Sequence, residues 1–290
     1  MAGPLTEQAP AKVNLTLRVL RRRADGYHEL DSLVAFADAA FADAADVLTL
    51  HPGSAFALAV TGPNADACGD LSDNLVRKAA DALAARVPGL RPGRFVLDKR
   101  LPVAAGLGGG SADAAAALRL LARAHGLAAD DVRVIKAARA VGADVSVCLD
   151  PVARMMRGIG HDLSPPLGMP PLPAVLVHPG EALPTREVFM ALERIDGSSA
   201  AAPQMPATPQ ALRAWLAAQR NDLEPPALAL RPVIGTVLAA LRESGAEVAR
   251  MSGSGATCFG IFADIATARA AAQTLALRAP GWWVRATLLR

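Results

Sequence analysis

Aromatic side chains are scarce in this 290-residue chain: they make up 4% of it, with one tyrosine, three tryptophans and seven phenylalanines. A nucleic-acid surface needs a basic stripe with interleaved stacking rings, and scattered arginines with so few aromatics do not supply one. Cysteines are few as well. Cys68, Cys148 and Cys258 are odd in number and far apart, so they suggest neither a disulfide framework nor a metal-ligand spacing, and they read as small buried hydrophobes. Long hydrophobic runs are missing: no window of 18 residues is uninterruptedly apolar, and Met1-Ala-Gly-Pro-Leu-Thr-Glu7 has no basic segment leading into an apolar one. A cytoplasmic protein is expected. A strong charge of one sign is also lacking, because the formal net charge is only +3. The densest basic cluster, Arg21-Arg22-Arg23, precedes a turn and reads as a solvated strand end.

Hydrophobic residues at 52% and charged ones at 20% describe a globular chain, with a length comfortable for two domains. The clearest composition break is Ser164-Pro-Pro-Leu-Gly-Met-Pro-Pro-Leu-Pro173, which places the expected boundary between domains 1–163 and 164–290. The most informative stretch is Leu101-Pro-Val-Ala-Ala-Gly-Leu-Gly-Gly-Gly-Ser-Ala-Asp113, a glycine-rich loop that feeds an Ala/Leu/Arg helix. Its glycines allow close approach of a ligand to the main chain, and Ser111 is the natural N-cap of the helix. First-turn N–H groups without intrahelical partners, at the positive end of the helix dipole, are the physical recipe for a phosphate cradle. The Walker pattern G-x-x-x-x-G-K-[ST] is absent. The dinucleotide pattern G-x-G-x-x-G also fails, with Ser111 and Asp113 where its last glycine belongs.

Residues 1–9 read as an untethered tail. The alternation Lys12-Val-Asn-Leu-Thr-Leu-Arg-Val-Leu20 predicts a half-buried strand, with Val13, Leu15, Leu17 and Val19 inward and Lys12, Asn14, Thr16 and Arg18 on the other face. Ala24-Asp-Gly26 is a turn carrying the lone Tyr27. Residues 36–45 repeat Phe-Ala-Asp-Ala-Ala, a local duplication. Strands are expected over 47–50, 56–60, 95–97, 174–177 and 282–289. Helices are expected over 74–86, 130–141, 186–193, 209–220, 231–244 and 265–278, with a surface loop over 196–210. Asp144 stands at a helix-to-strand corner after Gly142. Met251-Ser-Gly-Ser-Gly-Ala-Thr-Cys-Phe259 joins two strands by a second glycine-rich turn. Mixed helices and strands without strict alternation indicate α+β layers in both halves.

Three blocks, Ala11-Lys-Val-Asn-Leu-Thr-Leu17, Leu101 to Ala115 and Met251 to Phe259, resemble in order and separation the three motifs of the GHMP small-molecule kinases. Ala24-Asp-Gly-Tyr-His-Glu-Leu30, Gly142-Ala-Asp-Val145, His178-Pro-Gly180 with Pro184-Thr185, and Asn221-Asp-Leu223 are most similar to the branch acting on a cytidyl diphosphate alcohol in non-mevalonate isoprenoid synthesis. The resemblance implies a domain like ribosomal protein S5 domain 2 followed by a ferredoxin-like domain. It also implies transfer of phosphate from ATP, with Mg²⁺ on its phosphates, to the 2-hydroxyl of that alcohol. By position, Asp144 matches the general base and Lys12 its electrostatic partner. Pro102, Val103, Ala104, Ala105, Gly106, Leu107, Gly108, Gly109, Gly110, Ser111 and Ala112 match the ATP-phosphate loop. Asn14 matches a substrate-orienting position, Tyr27 and Phe189 match rings that stack on cytosine, and His28 matches a group that hydrogen-bonds the base edge.

No protein ligand to the metal is assigned, and a monomer or homodimer without nucleic-acid or membrane partners is implied. The family usually carries proline after Gly-Ala-Asp-Val, and here Ser146 stands there. The alternatives are another GHMP kinase of homoserine or mevalonate type, or a nucleotide-binding regulator without turnover. Tyr27-His28 with Phe189 argue against the first, and Lys12 with Asp144 against the second.

Overall fold

The computed structural model describes residues 3–38, 44–193, 195, 197 and 206–290. In chain order the strands begin with β1 (Leu5–Pro10), β2 (Lys12–Asn14), β3 (Arg18–Arg22), β4 (His28–Phe36), β5 (Ala45–His51), β6 (Ala57–Thr61) and β7 (Arg94–Asp98). They continue with β8 (Arg154–Gly158), β9 (Asp162–Leu163), β10 (Leu172–His178), β11 (Val248–Met251), β12 (Cys258–Ile261) and β13 (Trp283–Leu289). The helices are α1 (Leu75–Ala84), α2 (Gly109–Ala124), α3 (Val132–Val141), α4 (Ala143–Cys148) and α5 (Thr185–Met190). After them come α6 (Pro209–Ala217), α7 (Glu224–Leu230), α8 (Val233–Glu243) and α9 (Ile265–Arg278). Among the described residues no helix is long and apolar enough to cross a membrane.

The chain divides into two compact units that do not follow sequence order. Met1–Ala11, Ala45–Val103 and Gly108–Pro151 form the first, and Lys12–Ala44, Ala104–Leu107 and Val152–Arg290 form the second. The proline-rich stretch 164–173 therefore lies inside the second unit rather than between the two. Antiparallel pairing of β4 with β8, from Leu30 opposite Gly158 to Val34 opposite Arg154, draws residues 12–44 into the same unit as the later chain.

In the first unit the sheet order is β1-β5-β7-β6, with β6 parallel to β7 and the other pairs antiparallel. Helices α1, α2 and α3 pack on one another, and α2 covers β1 and β5. Ala112, Ala114, Ala115, Ala116 and Ala117 of α2 are all buried. Small side chains let this helix lie close to its neighbours on several sides at little cost in side-chain entropy.

The second unit holds two sheets. One runs β2-β4-β8-β9 with β3 also pairing β4, and the other runs β11-β12-β10-β13 with all its pairs antiparallel. Helices α8 and α9 lay apolar stripes on the latter, and Val175, Val177, Val237, Leu241, Phe262 and Leu275 belong to one buried cluster. The Arg250 guanidinium is buried in this unit and donates to the carbonyls of Leu15, Leu216 and Gln219.

Most expected elements are present, and the differences have local causes. The tail is strand β1, because residues 5–10 pair along β5 from Leu5 opposite Leu50 to Pro10 opposite Ala45. The single strand over 12–20 is split into β2 and β3. Leu15 N and Thr16 N both donate to Leu33 O while Thr16 Oγ1 accepts from Leu33 N, so the ladder is interrupted there. On the polar face Lys12, Asn14 and Thr16 are all buried. Helix α2 starts before Ser111. Gly108 at φ +61° is its N-cap, a left-handed position that glycine occupies without strain, and Ala112 N closes the turn on Gly108 O. Asp144 lies in the first turn of α4 and not at a helix-to-strand corner. Extended Gly142 ends α3, and Val145 N bonding to Gly142 O starts a new helix. Strands β8 and β9 and helix α7 carry no clear periodicity and go unanticipated. The expected loop over 196–210 lies outside the described residues at 196 and 198–205, as do residues 39–43 of the duplicated block.

His178 ends β10 with its ring buried, and its Nδ1 lies 3.4 Å from Thr257 Oγ1. Burial lowers its pKa from 6.5 to about 4. Between those values the unfolded chain binds the proton that the folded chain refuses, so stability falls as pH drops from 6.5 towards about 4. Urea midpoints for the protein and for His178→Gln, measured from pH 8 to pH 4, will diverge in slope only below about pH 6.5. Parallel profiles would show that the folded chain takes up the His178 proton as readily as the unfolded one.

Candidate active site

The residues singled out from the sequence fall into both units, and each unit has its own geometry. In the second unit the strand β2 aims Lys12 and Asn14 to one side, as period-two alternation requires, and Lys12 Nζ donates to Asn14 Oδ1 at 3.1 Å. The orientation of that amide follows from proton counting. Ser32 has one hydroxyl proton and gives it to Thr16 O at 2.5 Å. Its oxygen can then only accept, and Asn14 Nδ2 donates to it at 2.8 Å. The Asn14 carbonyl oxygen is thereby left facing the Lys12 ammonium.

The glycine-rich loop contributes Ala104 to Leu107 to the same unit. Lys12 N donates to Leu107 O at 2.8 Å, and Thr257 N donates to Ala105 O at 3.1 Å. Ser252, fully buried, accepts from Asn14 N at 3.1 Å and donates to Gly106 O at 2.9 Å. A Cβ on Gly106 would sit 2.4 Å from Ser252 O and 2.8 Å from Gly255 O. Only glycine permits this approach, and its φ of +75° demands glycine for a second reason. Asn221 supports the second glycine turn from below. Its Nδ2 donates to Met251 O and Gly253 O while its Oδ1 accepts from Leu223 N.

Ala104 is the one described non-glycine residue with positive φ, at 53°. Strain of this kind concentrates at ligand-binding loops held in place by their surroundings.

Further along the second unit, His28 and Phe189 stack on each other with centroids 4.8 Å apart and planes 23° from parallel. Burial, and then the charge of Arg22, hold the His28 pKa below 6.5. A neutral imidazole offers one donor and one acceptor, which suits reading the edge of a base. Tyr27 precedes this pair with its side chain 62% exposed, and its backbone N–H is held by Asp25 Oδ1.

In the first unit, Gly108 is the N-cap of α2 and Gly109 to Ser111 begin its first turn, a helix start whose unpaired N–H groups suit an anion. Asp144 is half-buried in the first turn of α4, and α4 packs on α2. Ser146 turns its hydroxyl oxygen into the interior without a hydrogen-bond partner. Among the described residues, no group of three or more His, Cys, Asp or Glu side chains could hold a metal ion.

Sequence reasoning missed Ser32 as a group that orients Asn14. It also missed a buried cluster in the first unit, Lys99 with Asp46 and Asp113. The signal for that cluster is faint: an aspartate inside an alanine run and a lysine at the end of an apolar strand.

The profile of the GHMP kinases N terminal domain matches residues 74–153, and that of the GHMP kinases C terminal matches residues 205–279. The curated 4-diphosphocytidyl-2-C-methyl-D-erythritol kinase of Rhodopseudomonas palustris is 58% identical over 296 residues, covering 98% of this chain and 97% of that protein. The same-named protein of Methylobacterium radiotolerans is 58% identical over 292 residues, covering 99% of each chain. Among solved structures, a 4-(cytidine 5'-diphospho)-2C-methyl-D-erythritol kinase matches with a TM-score of 0.78 at 36% identity, covering 98% of this chain and 99% of that one. A homoserine kinase from Cytophaga hutchinsonii matches with a TM-score of 0.71 at 18% identity, covering 99% and 95%, and shares the fold.

Of the three positive-φ positions in the loop, Gly106 and Ala104 predict opposite outcomes. Gly106→Ala meets backbone atoms that cannot yield and costs on the order of 3 kcal/mol in urea unfolding. Ala104→Gly exchanges roughly 1–2 kcal/mol of left-handed strain for the greater chain entropy of glycine, roughly 0.4–1 kcal/mol, and leaves stability unchanged or raised. A tolerated Gly106→Ala would show that the two turns do not touch in solution.

Proposed function

The chain belongs to the GHMP kinases and is an ATP-dependent kinase; from that premise we propose that it phosphorylates the 2-hydroxyl of 4-diphosphocytidyl-2-C-methyl-D-erythritol, a step of the non-mevalonate route to isoprenoid precursors. The observation that carries this reading is the near full-length likeness to relatives of that name. His28 beside Phe189 supports it independently, since a planar pair with a neutral imidazole suits a pyrimidine base.

In this reading Mg²⁺ would accompany ATP and would supply charge neutralisation at its phosphates, with no protein side chain assigned to hold it. Pro102 to Ala112 receive the phosphates through main-chain N–H groups and the start of α2. Phosphoryl transfer requires alignment and charge neutralisation more than covalent help. The alcohol oxygen bonds to the γ-phosphorus as the bond to the β-phosphate bridging oxygen breaks, and ADP leaves. Asp144 takes the hydroxyl proton as general base. Lys12 counters the charge of the moving phosphoryl group, with its ammonium steered by the Asn14 carbonyl oxygen. Asn14 orients the acceptor, Tyr27 and Phe189 stack on the cytosine, and His28 reads its edge.

Two measurements test the proposal. Release of ADP across a panel of alcohols is expected with the cytidyl diphosphate alcohol, and comparable turnover of mevalonate or homoserine would sink the nucleotide-specific reading. Asp144→Asn is expected to leave ATP binding nearly unchanged and to lower kcat by roughly two to four orders of magnitude. Near-normal turnover in that variant would mean that another group is the base.

A further inference from the structure

Lys99 lies 3% exposed in the first unit, at the junction between β7 and the glycine-rich stretch, with Asp46 of β5 fully buried and Asp113 of α2 3% exposed. Its ammonium donates to Asp46 Oδ2 and to Asp113 Oδ2, each at 2.6 Å. The other Asp46 oxygen accepts from Arg100 N at 2.6 Å and from Leu101 N at 2.8 Å. Leu101 immediately precedes Pro102, where the phosphate-loop residues begin. On the far side, a Cβ on Gly109 would lie 3.2 Å from Lys99 Nζ and 3.7 Å from Asp46 Oδ2, so the charges sit directly behind the first turn of α2.

Stability is a poor reason for such a cluster. Buried ion pairs are often no more stabilising than apolar side chains of the same volume, because desolvation offsets their attraction. Here two carboxylates face one ammonium, and Asp113 Oδ1 has no hydrogen-bond partner. Burial raises the Asp113 carboxyl well above its ordinary range against the pull of Lys99. Burial would lower Lys99, yet the attraction of Asp113 and Asp46 outweighs it and raises the ammonium pKa. What short, charge-assisted hydrogen bonds do supply is direction. Four of them bind three segments distant in sequence, and two of those segments flank the loop.

We propose that Asp46, Lys99 and Asp113 form a buried clamp that holds Arg100–Leu101 and the first turns of α2 in one frame, and so sets the affinity of the glycine-rich loop for the phosphate groups of a nucleotide. Asp46 is its central positioning residue, since it alone grips both the ammonium and the main chain. The proposal rests on the reading of 102–112 as the phosphate-binding segment. Misplacing a binding group by about 1 Å is enough to change rates by roughly a hundredfold, so loss of this frame is felt at the nucleotide without direct contact.

The test compares Asp46→Asn, Asp113→Ala and Asp113→Asn. It reads the Kd of a non-hydrolysable ATP analogue with Mg²⁺ by calorimetry, the separate KM values for ATP and the cytidyl alcohol, and Tm. Asp46→Asn is expected to raise the analogue Kd and the ATP KM by about tenfold or more, leaving the alcohol KM within about twofold. Asp113→Ala is expected to raise the same two constants by about fivefold, and Asp113→Asn, which keeps an acceptor for Lys99, restores them to within about threefold. Folded variants that bind the analogue like the wild type would overturn the clamp, as would equal rises in both KM values. If Asp46→Asn does not fold, the two Asp113 variants decide alone, and equal Kd values for Asp113→Ala and the wild type overturn it. A wild type that binds the analogue but does not turn over the cytidyl alcohol would fail the acceptor assignment only. A wild type that binds no nucleotide would remove the phosphate-loop reading and the clamp together.

Discussion

The second unit turns on the single hydroxyl of Ser252. It accepts from the backbone of Asn14 and donates to the backbone of Gly106, and so fastens the strand carrying Lys12 to the tip of the glycine-rich loop. The contact is possible only because Gly106 lacks a Cβ and tolerates positive φ. Asn221 and Arg250 then hold the turn and the strand from behind, donating to two and three backbone carbonyls respectively. Glycine permits the approach, and buried polar side chains make it unique.

Buried polarity is used differently in the two units. Around Lys12 the groups form a chain in which each proton has one destination, from Ser32 to Thr16 and from Asn14 to Ser32. Behind α2 one ammonium lies between two carboxyl groups, and direction comes from charge-assisted hydrogen bonds at 2.6 Å. Both arrangements fix backbone rather than filling volume, and both border residues of the glycine-rich stretch. An interior assembled from apolar side chains alone would pack as well and would leave those N–H groups and ammoniums without fixed direction.

Much of this was legible in the chain. Long helices with clear stripes, α1, α8 and α9, and apolar strands such as β10 follow directly from periodicity. The glycine-rich stretch reads as a phosphate cradle from φ freedom and the helix that follows it, and Lys12 with Asn14 on one strand face reads as a pair. The sequence places the start of α2 too late because serine is the better cap in isolation. The close turn at Gly108 ends the loop sooner. The tail became β1 because a partner strand is a tertiary fact with no local signature. The burial of Lys12, Asn14 and Thr16 is not legible in the strand, because the same polar row also suits a solvated face and nothing within it announces the neighbours that bury it.

The sequence by itself determined most of the element types, the glycine positions that allow backbone to approach backbone, and the chemical groups on offer: an ammonium, a carboxylate, an imidazole and a lone tyrosine. These depend on residue chemistry and on spacing along the chain. Only the tertiary structure decided that Ser252 joins Asn14 to Gly106, that Ser32 sets the orientation of an amide, and that Lys99 lies between two carboxylates behind α2. Those outcomes link residues as far apart as 14 and 252, and hydrogen-bond direction is set by the proton count of the whole network rather than by any one residue's preference.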